Sequence, residues 1–184
     1  IMGIIATRMA FGQELIDIAK ERTDFLVCNA DTKTCGLEKF AKIFPDREFS
    51  FGIAEQNLVG AAAGMAACGN KVFLATFAVF ASMRACEQVR TFVCYPNLNV
   101  TIIGTHAGLQ VGGDGATHAA IEDVSIMRSF PNMTIVQPSD AVSARAVARA
   151  AVDFTGPLYI RLHRNPVADI YDAENYQFEI GKSY

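Results

Sequence analysis

Four sets of residues have side chains whose types and spacing suit catalysis. Glu55 stands between an apolar strand end and a helix rich in alanine and glycine, where a carboxyl group removed from water can act as a proton donor. The alternative is a first-turn glutamate that only complements the helix dipole. His106 and His118 flank a glycine-rich loop that contains Asp114, and such a loop lets the backbone wrap a ligand with an imidazole at each end.

Aromatic and cationic side chains form the other two sets. Phe77 and Phe80 lie three residues apart, so they are either one face of an apolar helix or a platform for a heteroaromatic ring. Arg8, Arg161 and Arg164 are candidates for binding an anion, with a surface ion pair as the alternative for each of them. The loop histidines lack metal-type spacing to cysteine or carboxylate residues, so no zinc site is expected.

The composition excludes several classes of protein. The 184 residues are 51% hydrophobic and 19% charged, with a formal net charge of −3 at pH 7. These values suit one compact domain with a sizeable core and exclude a disordered chain. No basic stripe marks a nucleic-acid surface, and no apolar run is long enough to span a bilayer, so neither nucleic acid nor a membrane is an expected partner.

The five cysteines include no Cys-x-x-Cys pair. Cys28, Cys68 and Cys94 lie among apolar residues, so we interpret them as small core residues rather than metal or redox groups. Unpaired core cysteines of this kind are typical of a reducing compartment, and the expected location is therefore the cytoplasm.

Strands and helices alternate along the chain. We predict helices at 8–20, 37–44, 54–68, 79–92, 119–129 and 141–153, and strands at 25–28, 48–51, 72–75, 100–104, 133–136 and 158–162. About six short apolar strands separated by helices indicate an α/β fold, doubly wound around a mostly parallel sheet with helices on both faces. Ligands bind such sheets beyond the carboxyl ends of the strands, where Asp31, Glu55 and the run from Thr105 to His118 all fall.

A series of ordered motifs resembles the pyrimidine-binding domain of transketolases. The motifs are FGIAEQN at 51–57, TFAVF at 76–80, THAGL at 105–109, GDGATH at 113–118 and PNM at 131–133, continued by GP at 156–157 and by Arg164. The resemblance covers about residues 6–166 and is strongest to the separate C-terminal subunit of split transketolases, in which two polypeptides form the enzyme. It implies a thiamine diphosphate-binding fold of the pyrimidine type in residues 1–166, with 167–184 as a tail or linker towards a C-terminal domain.

The resemblance implies a cofactor role for five residues. Glu55 matches the glutamate that protonates N1′ of the aminopyrimidine, and Phe77 and Phe80 match the aromatic residues around that ring. Met83 stands where many transketolases have a tyrosine, and a methionine can also pack on an aromatic face. Asp31 matches an active-site aspartate near the cofactor.

The resemblance also implies a sugar phosphate substrate. His106, Asp114 and His118 match residues that line the sugar channel, contact substrate hydroxyl groups and assist proton transfer. Arg8 and Arg164 match the arginines that hold the sugar phosphate.

Besides Met83, two positions depart from the family pattern. Cys35 stands near the place of a serine that also binds phosphate, and Ala119 replaces the glutamine that usually follows Thr-His. In addition, the Gly-Asp-Gly sequence at 113–115 has no Asn pair downstream, so the magnesium-diphosphate motif of thiamine enzymes is absent from this sequence. We therefore expect no metal site here, and a magnesium or calcium ion held by a partner subunit.

The expected function is that of a transketolase subunit, which uses thiamine diphosphate to transfer a two-carbon ketol unit between sugar phosphates. The expected partners are a diphosphate-binding transketolase subunit and a second copy of this chain in a two-fold dimer. A deoxyxylulose-phosphate synthase is the runner-up, although its motif reads Glu-Gln-His where this chain has Glu55-Gln56-Asn57. The sequence also leaves open a 2-oxoacid dehydrogenase β-subunit and a non-catalytic assembly module of the same fold.

Overall fold

The secondary structure alternates between strands and helices through most of the chain. The computed structural model describes residues 4–31 and 35–183. The strands are β1 (Ile4–Ala6), β2 (Phe25–Asn29), β3 (Glu48–Ser50), β4 (Lys71–Phe77), β5 (Val100–Thr105), β6 (Thr134–Val136), β7 (Leu158–Arg161) and β8 (Pro166–Ala168). The α-helices are α1 (Thr7–Glu21), α2 (Leu37–Ile43), α3 (Glu55–Ala67), α4 (Cys86–Gln88), α5 (Asp123–Met127) and α6 (Ala141–Asp153), and π-helical turns at Phe80–Arg84 and Val89–Cys94 flank α4.

Six strands form one parallel sheet in the order β3-β2-β4-β5-β7-β6. Successive residues of a strand point to opposite faces, and both faces of this sheet are apolar. In β4, Val72 and Leu74 pack in a core with α3 and the π-helical turns, whereas Phe73 and Ala75 pack in a second core with α1, α2 and α6. The structure therefore confirms the predicted doubly wound α/β fold with helices on both faces of a parallel sheet.

The start of α6 shows how local sequence fixes an element. The Asp140 carboxylate accepts a hydrogen bond from the Ser143 backbone N–H at 2.8 Å, and the Ser143 hydroxyl oxygen accepts one from the Asp140 N–H at 3.0 Å. This capping box satisfies two backbone donors that a helix start leaves unpaired, and it confirms the predicted helix start. The other Asp140 oxygen accepts bonds from the backbone of Ile170 and Tyr171, so the same side chain holds the tail.

Two predicted helices differ from the structure. The helix expected at 119–129 is reduced to α5, because Ala120 bridges to the 107–108 segment and its carbonyl accepts a bond from Gly108 N–H at 2.8 Å. The helix expected at 79–92 begins with a π-helical turn closed by a bond from Ala85 N–H to the Phe80 carbonyl at 3.0 Å. A π-helical turn contains one extra residue and so changes the direction of the side chains it carries.

The core placement predicted for Cys68 is wrong, because Cys68 follows the last residue of α3 and is exposed. Cys28 and Cys94 are buried as predicted, and burial raises the pKa of each thiol to about 12. Among the described residues, no helix has the combination of length and apolar character needed to cross a membrane.

Part of the predicted tail packs on the domain. Strands β1 and β8 pair antiparallel, and Phe178 packs against the second core. Residues 1–3 and Tyr184, at the two ends of the predicted units, lie outside the described residues. The domain boundary at residue 166 stays a prediction.

Candidate active site

The predicted site residues lie at the edge formed by the carboxyl ends of the parallel strands. Phe77 ends β4, His106 directly follows β5, and Arg164 lies three residues after β7. Glu55 begins α3, shortly after β3, and Arg8 lies in the first turn of α1. These elements place residues from both ends of the chain at one edge of the sheet.

Arg8 and Arg164 meet although 156 positions separate them in sequence. The Arg8 Nε donates a hydrogen bond to the Arg164 carbonyl oxygen at 3.2 Å, and the Arg164 Nη1 donates one to Asp114 Oδ2 at 3.0 Å. Burial lowers the pKa of Arg8, and the charge of Arg164 lowers it further. The positive charges of Arg8 and Arg164 also act on each other, and a pair of neighbouring cations favours the binding of an anion.

The glycine-rich loop approaches Arg164 closely. A Cβ atom at Gly112 would lie 2.9 Å from Arg164 Nη1, and the backbone φ of +69° at Gly112 also favours glycine. The loop therefore brings Asp114 to the arginine because no side chain at Gly112 separates the two.

His106 is buried at the end of β5. Its Nδ1 lies 3.1 Å from Thr105 Oγ1, and its backbone has a φ of +57°, which is uncommon for a residue with a side chain. Burial lowers the pKa of His106 to about 4, and the charges of Arg8 and Arg164 act in the same direction. His106 is therefore a neutral imidazole near pH 7 and acts as a hydrogen-bonding group rather than a cation.

Phe77 and Phe80 join the two histidines to the rest of the site. The Phe77 ring centroid lies 4.3 Å from that of His106, and the half-buried His118 presents its edge to Phe77 at 5.7 Å and to Phe80 at 5.1 Å. The two phenyl rings stack on each other with centroids 5.8 Å apart. This distance is that of a direct aromatic pair, so a third ring does not fit between them.

Glu55 is the buried acid of the site. Its side chain is only 2% exposed and stands in the first turn of α3, where the positive end of the helix dipole favours a carboxylate. The Arg84 Nη1 donates a hydrogen bond to Glu55 Oε2 at 2.9 Å. The Arg84 guanidinium carbon also lies 4.1 Å from the centre of the Phe80 ring, a distance typical of a cation–π contact.

Arg84 is a site residue that sequence reasoning missed. Its position four residues after Phe80, on a segment expected to be helical, was a signal that the two side chains share one face. The contact between Arg84 and Glu55 joins segments 29 residues apart, and no local pattern predicts it.

The Arg161 guanidinium forms hydrogen bonds within the fold and is not open to an anion. Its Nε donates to Asp123 Oδ2 at 2.8 Å, and its Nη2 donates to the Ala120 carbonyl at 3.0 Å. The buried Tyr159 hydroxyl donates to the same Asp123 oxygen at 2.7 Å. This network holds the segment that follows the glycine-rich loop against β7.

Asp31 and Met83 are both exposed side chains. Asp31 is exposed after the end of β2, beside a hollow of about 160 Å³ that Asn29, Glu38 and Glu48 also line. Met83 is 44% exposed in the π-helical turn next to Arg84. The cofactor roles of Asp31 and Met83 stay predictions.

The fold and this cluster together define the class of protein. A doubly wound parallel sheet that carries a buried acid, stacked aromatic rings and a loop with histidines at its strand ends is the architecture of a transketolase-type pyrimidine-binding domain. Residues 4–168 match the family model described as transketolase, pyrimidine binding domain, and the chain belongs to that family.

Individual relatives agree with the family. The chain is 44% identical over 177 residues to a protein of Methanocaldococcus jannaschii whose name describes a transketolase C-terminal section, a match that covers 95% of this chain and 56% of the relative. It is 37% identical to one subunit of the apulose-4-phosphate transketolase of Phocaeicola vulgatus, covering 98% of this chain and 58% of the relative. The chain thus spans a little over half the length of these relatives.

Solved structures show the same fold. A structure described as a split gene transketolase, an inactive beta4 tetramer, superimposes with a TM-score of 0.87 and 46% sequence identity. The match covers 98% of this chain and 58% of that one.

Members of this family generally use thiamine diphosphate, and the residues of this site fit one end of that molecule. A buried carboxylate beside the face of a phenyl ring suits an aminopyrimidine, which both stacks and forms hydrogen bonds. A cavity of about 350 Å³ lies directly beside Glu55 and Arg84. Within residues 4–31 and 35–183, no three His, Cys, Asp or Glu side chains are grouped so as to hold a metal ion.

Proposed function

We propose that this chain is the pyrimidine-binding half of a split, thiamine diphosphate-dependent transketolase, which transfers a two-carbon ketol unit between sugar phosphates. The observation that carries the proposal is one cluster of side chains. Arg8 meets Arg164, which pairs with Asp114. Phe77 contacts His106 and Phe80, and Arg84 lies over Phe80 and pairs with Glu55. The cluster combines an anion site, a neutral imidazole and a buried acid, which are the groups that ketol transfer to and from a phosphorylated sugar requires.

We assign Glu55 and Phe80 to the cofactor. Thiamine diphosphate, when bound, supplies the carbon nucleophile that attacks the sugar carbonyl. Glu55, whose carboxyl group is buried, would hold a proton at N1′ of the aminopyrimidine, and Phe80 would offer the ring a face on which to stack. Phe77 supports Phe80 from the side by direct stacking.

We assign the other half of the cluster to the sugar. Arg8 and Arg164 bind the phosphate, and Asp114 orients Arg164 through their 3.0 Å hydrogen bond. His106 offers a neutral imidazole to a substrate hydroxyl group. His118, which is half-buried at the open side of the phenyl rings, moves protons to and from the sugar oxygen.

We further propose that the active enzyme is a hetero-oligomer in which a diphosphate-binding subunit holds magnesium or calcium. The solved relative described as an inactive beta4 tetramer supports a requirement for a second polypeptide. The groove of about 450 Å³ between α3 and the turn at Val89–Cys94 is lined by Gly60, Ala63 and Gly64, and it suits self-association in a two-fold dimer because small residues permit close approach. The pentose phosphate reactions in the cytoplasm are the proposed setting.

The proposal is tested by mixing this chain with a diphosphate-binding transketolase subunit, thiamine diphosphate and magnesium. We expect ketol transfer from a ketose phosphate to an aldose phosphate with both proteins present and none with either alone. Release of carbon dioxide from a 2-oxoacid without ketol transfer would contradict the proposal in favour of the other thiamine enzymes.

A further inference from the structure

Arg84 combines two contacts that a planar ligand would also make. Its guanidinium group pairs with Glu55 Oε2 at 2.9 Å and lies 4.1 Å above the centre of the Phe80 ring. Glu55 is buried, whereas the Arg84 side chain is 45% exposed. The arginine therefore approaches the acid from the solvent side, across the face of Phe80.

A guanidinium group and an aminopyrimidine have similar recognition chemistry. Both are flat and both stack on an aromatic face, and an aminopyrimidine protonated at N1′ carries an N–H that pairs with a carboxylate as a guanidinium N–H does. A ring that paired with Glu55 Oε2 and lay on the same face of Phe80 would occupy the space that the Arg84 guanidinium fills. The contacts of Arg84 are therefore incompatible with an aminopyrimidine in that place.

The ion pair between Arg84 and Glu55 also stabilises the chain when no ligand is bound. A buried carboxylate with no cationic partner is costly, and Arg84 supplies the compensating charge. Because almost half of the Arg84 side chain is exposed, it can leave without disturbing the core. The adjoining cavity of about 350 Å³, lined by Ile53, Gln56 and Asn57 besides the ion pair, offers the side chain space on that side.

We propose that Arg84 is an internal stand-in for the aminopyrimidine ring: it fills the place between Glu55 and Phe80 in the ligand-free chain, and the ring must displace it to bind. This rests on the proposed function, since it assumes that Glu55 and Phe80 receive the ring. Arg84 then lowers the affinity of the empty site and protects the buried acid until the ring arrives.

The test uses 4-amino-2,5-dimethylpyrimidine as a probe, because this fragment does not need the diphosphate site. We expect Arg84→Ala and the better-packed Arg84→Met to bind the probe about five- to tenfold more tightly than the wild type, since one half-exposed ion pair and one cation–π contact no longer have to be broken. Arg90→Ala removes an exposed arginine of the next turn and should leave the affinity unchanged. Calorimetry measures the affinities, and circular dichroism checks that each variant is folded.

Two further readouts separate displacement from a general structural effect. In the wild type, the Arg84 Nε–H resonance should shift to a solvent-exposed position as the probe is added. In Arg84→Ala, added methylguanidinium should compete with the probe, because it restores the missing group.

Equal or weaker binding of the probe by both Arg84 variants would overturn the stand-in role while leaving the ring site intact. An Arg84 resonance that does not respond to bound probe would overturn it as well. If neither the wild type nor any variant bound the probe, the assignment of the ring site to Glu55 and Phe80 would itself be wrong. In that case we also expect no ketol transfer in the assay of the proposed function.

Discussion

At the scale of single residues, the buried acid Glu55 and the buried base His106 lie in different electrostatic environments. Glu55 is buried at a helix start against a cation, whereas His106 is buried where the charges of Arg8 and Arg164 also act on it. The first environment suits a carboxyl group that works with a nitrogen base, and the second keeps an imidazole neutral. The two side chains therefore have different tasks although the phenyl rings and Arg84 connect them.

Replacing Glu55 tests the proton role. Glu55→Gln keeps the shape and the burial of the side chain but cannot exchange a proton, so we expect a loss of about a hundredfold or more in the rate of ketol transfer. The measurement is turnover of the complex with thiamine diphosphate bound. A near-normal rate in a folded, cofactor-loaded variant would rule out this role for Glu55.

Replacing the arginines tests the phosphate site. Arg8→Ala and Arg164→Ala should each raise KM for phosphorylated sugars far more than KM for unphosphorylated sugars, because only the phosphate needs the two guanidinium groups. Arg128→Ala, at the end of α5, is the control, because it removes the same charge outside the proposed site. If both kinds of sugar were affected equally, the arginines would have a structural role instead.

The lowered pKa of His106 predicts a pH effect on stability. The pKa of His106 is about 4 in the folded chain and about 6.5 in the unfolded chain, so the unfolded state binds the proton more readily as pH falls. The free energy of unfolding should therefore fall between pH 7 and pH 4, and His106→Gln should reduce that dependence. Denaturant unfolding of both proteins at pH 7 and pH 5 measures the difference, and identical pH dependence would contradict it.

At the scale of elements, the site depends on tight contacts between helices, strands and loops. A Cβ atom at Gly104 of β5 would lie 2.5 Å from the Tyr159 hydroxyl, so only glycine lets Tyr159 cross this strand and reach Asp123. The Asp123 and Arg161 network then holds the segment after the glycine-rich loop. The position of the loop histidines is thus set by strand packing beneath them.

Two glycine-to-alanine variants test the contact between α1 and the segment at residue 35. A Cβ atom at Gly12 would lie 1.7 Å from the Cys35 carbonyl oxygen, whereas one at Gly64 meets no atom within 4 Å. Gly12→Ala should destabilise the chain by about 1–3 kcal/mol through overpacking. Gly64→Ala should stabilise it by up to about 1 kcal/mol through helix propensity. Thermal unfolding of both variants compares the two effects, and a Gly12→Ala protein as stable as Gly64→Ala would contradict the packing argument.

At the scale of the whole molecule, the ordered motifs predicted the parallel fold and most of the cluster. Glu55, His106 and Arg164 follow strand ends in the sequence, and the general geometry of a parallel sheet brings such residues to one edge. Arg84 was missed because its contact with Glu55 depends on how a π-helical turn aims a side chain across two segments. The short α5 was missed because the pairing of Ala120 is non-local and overrides helix propensity.

The strands β1 and β8 were missed for a related reason. Each has three residues, and each is a strand only because the other lies beside it, from opposite ends of the described chain. Local periodicity carries no signal for such a pair. Their pairing nevertheless matters for the site, because Arg8 follows β1 and Arg164 precedes β8.

The central claim is that this chain provides one half of a site completed by another polypeptide. Calorimetric titration of thiamine diphosphate and magnesium, into the chain alone and into its mixture with a diphosphate-binding transketolase subunit, tests that claim most directly. We expect micromolar binding to the mixture and no micromolar binding to the chain alone, because the described residues fit the pyrimidine end and the metal-bound diphosphate is assigned to the partner. Micromolar binding to the chain alone would contradict it.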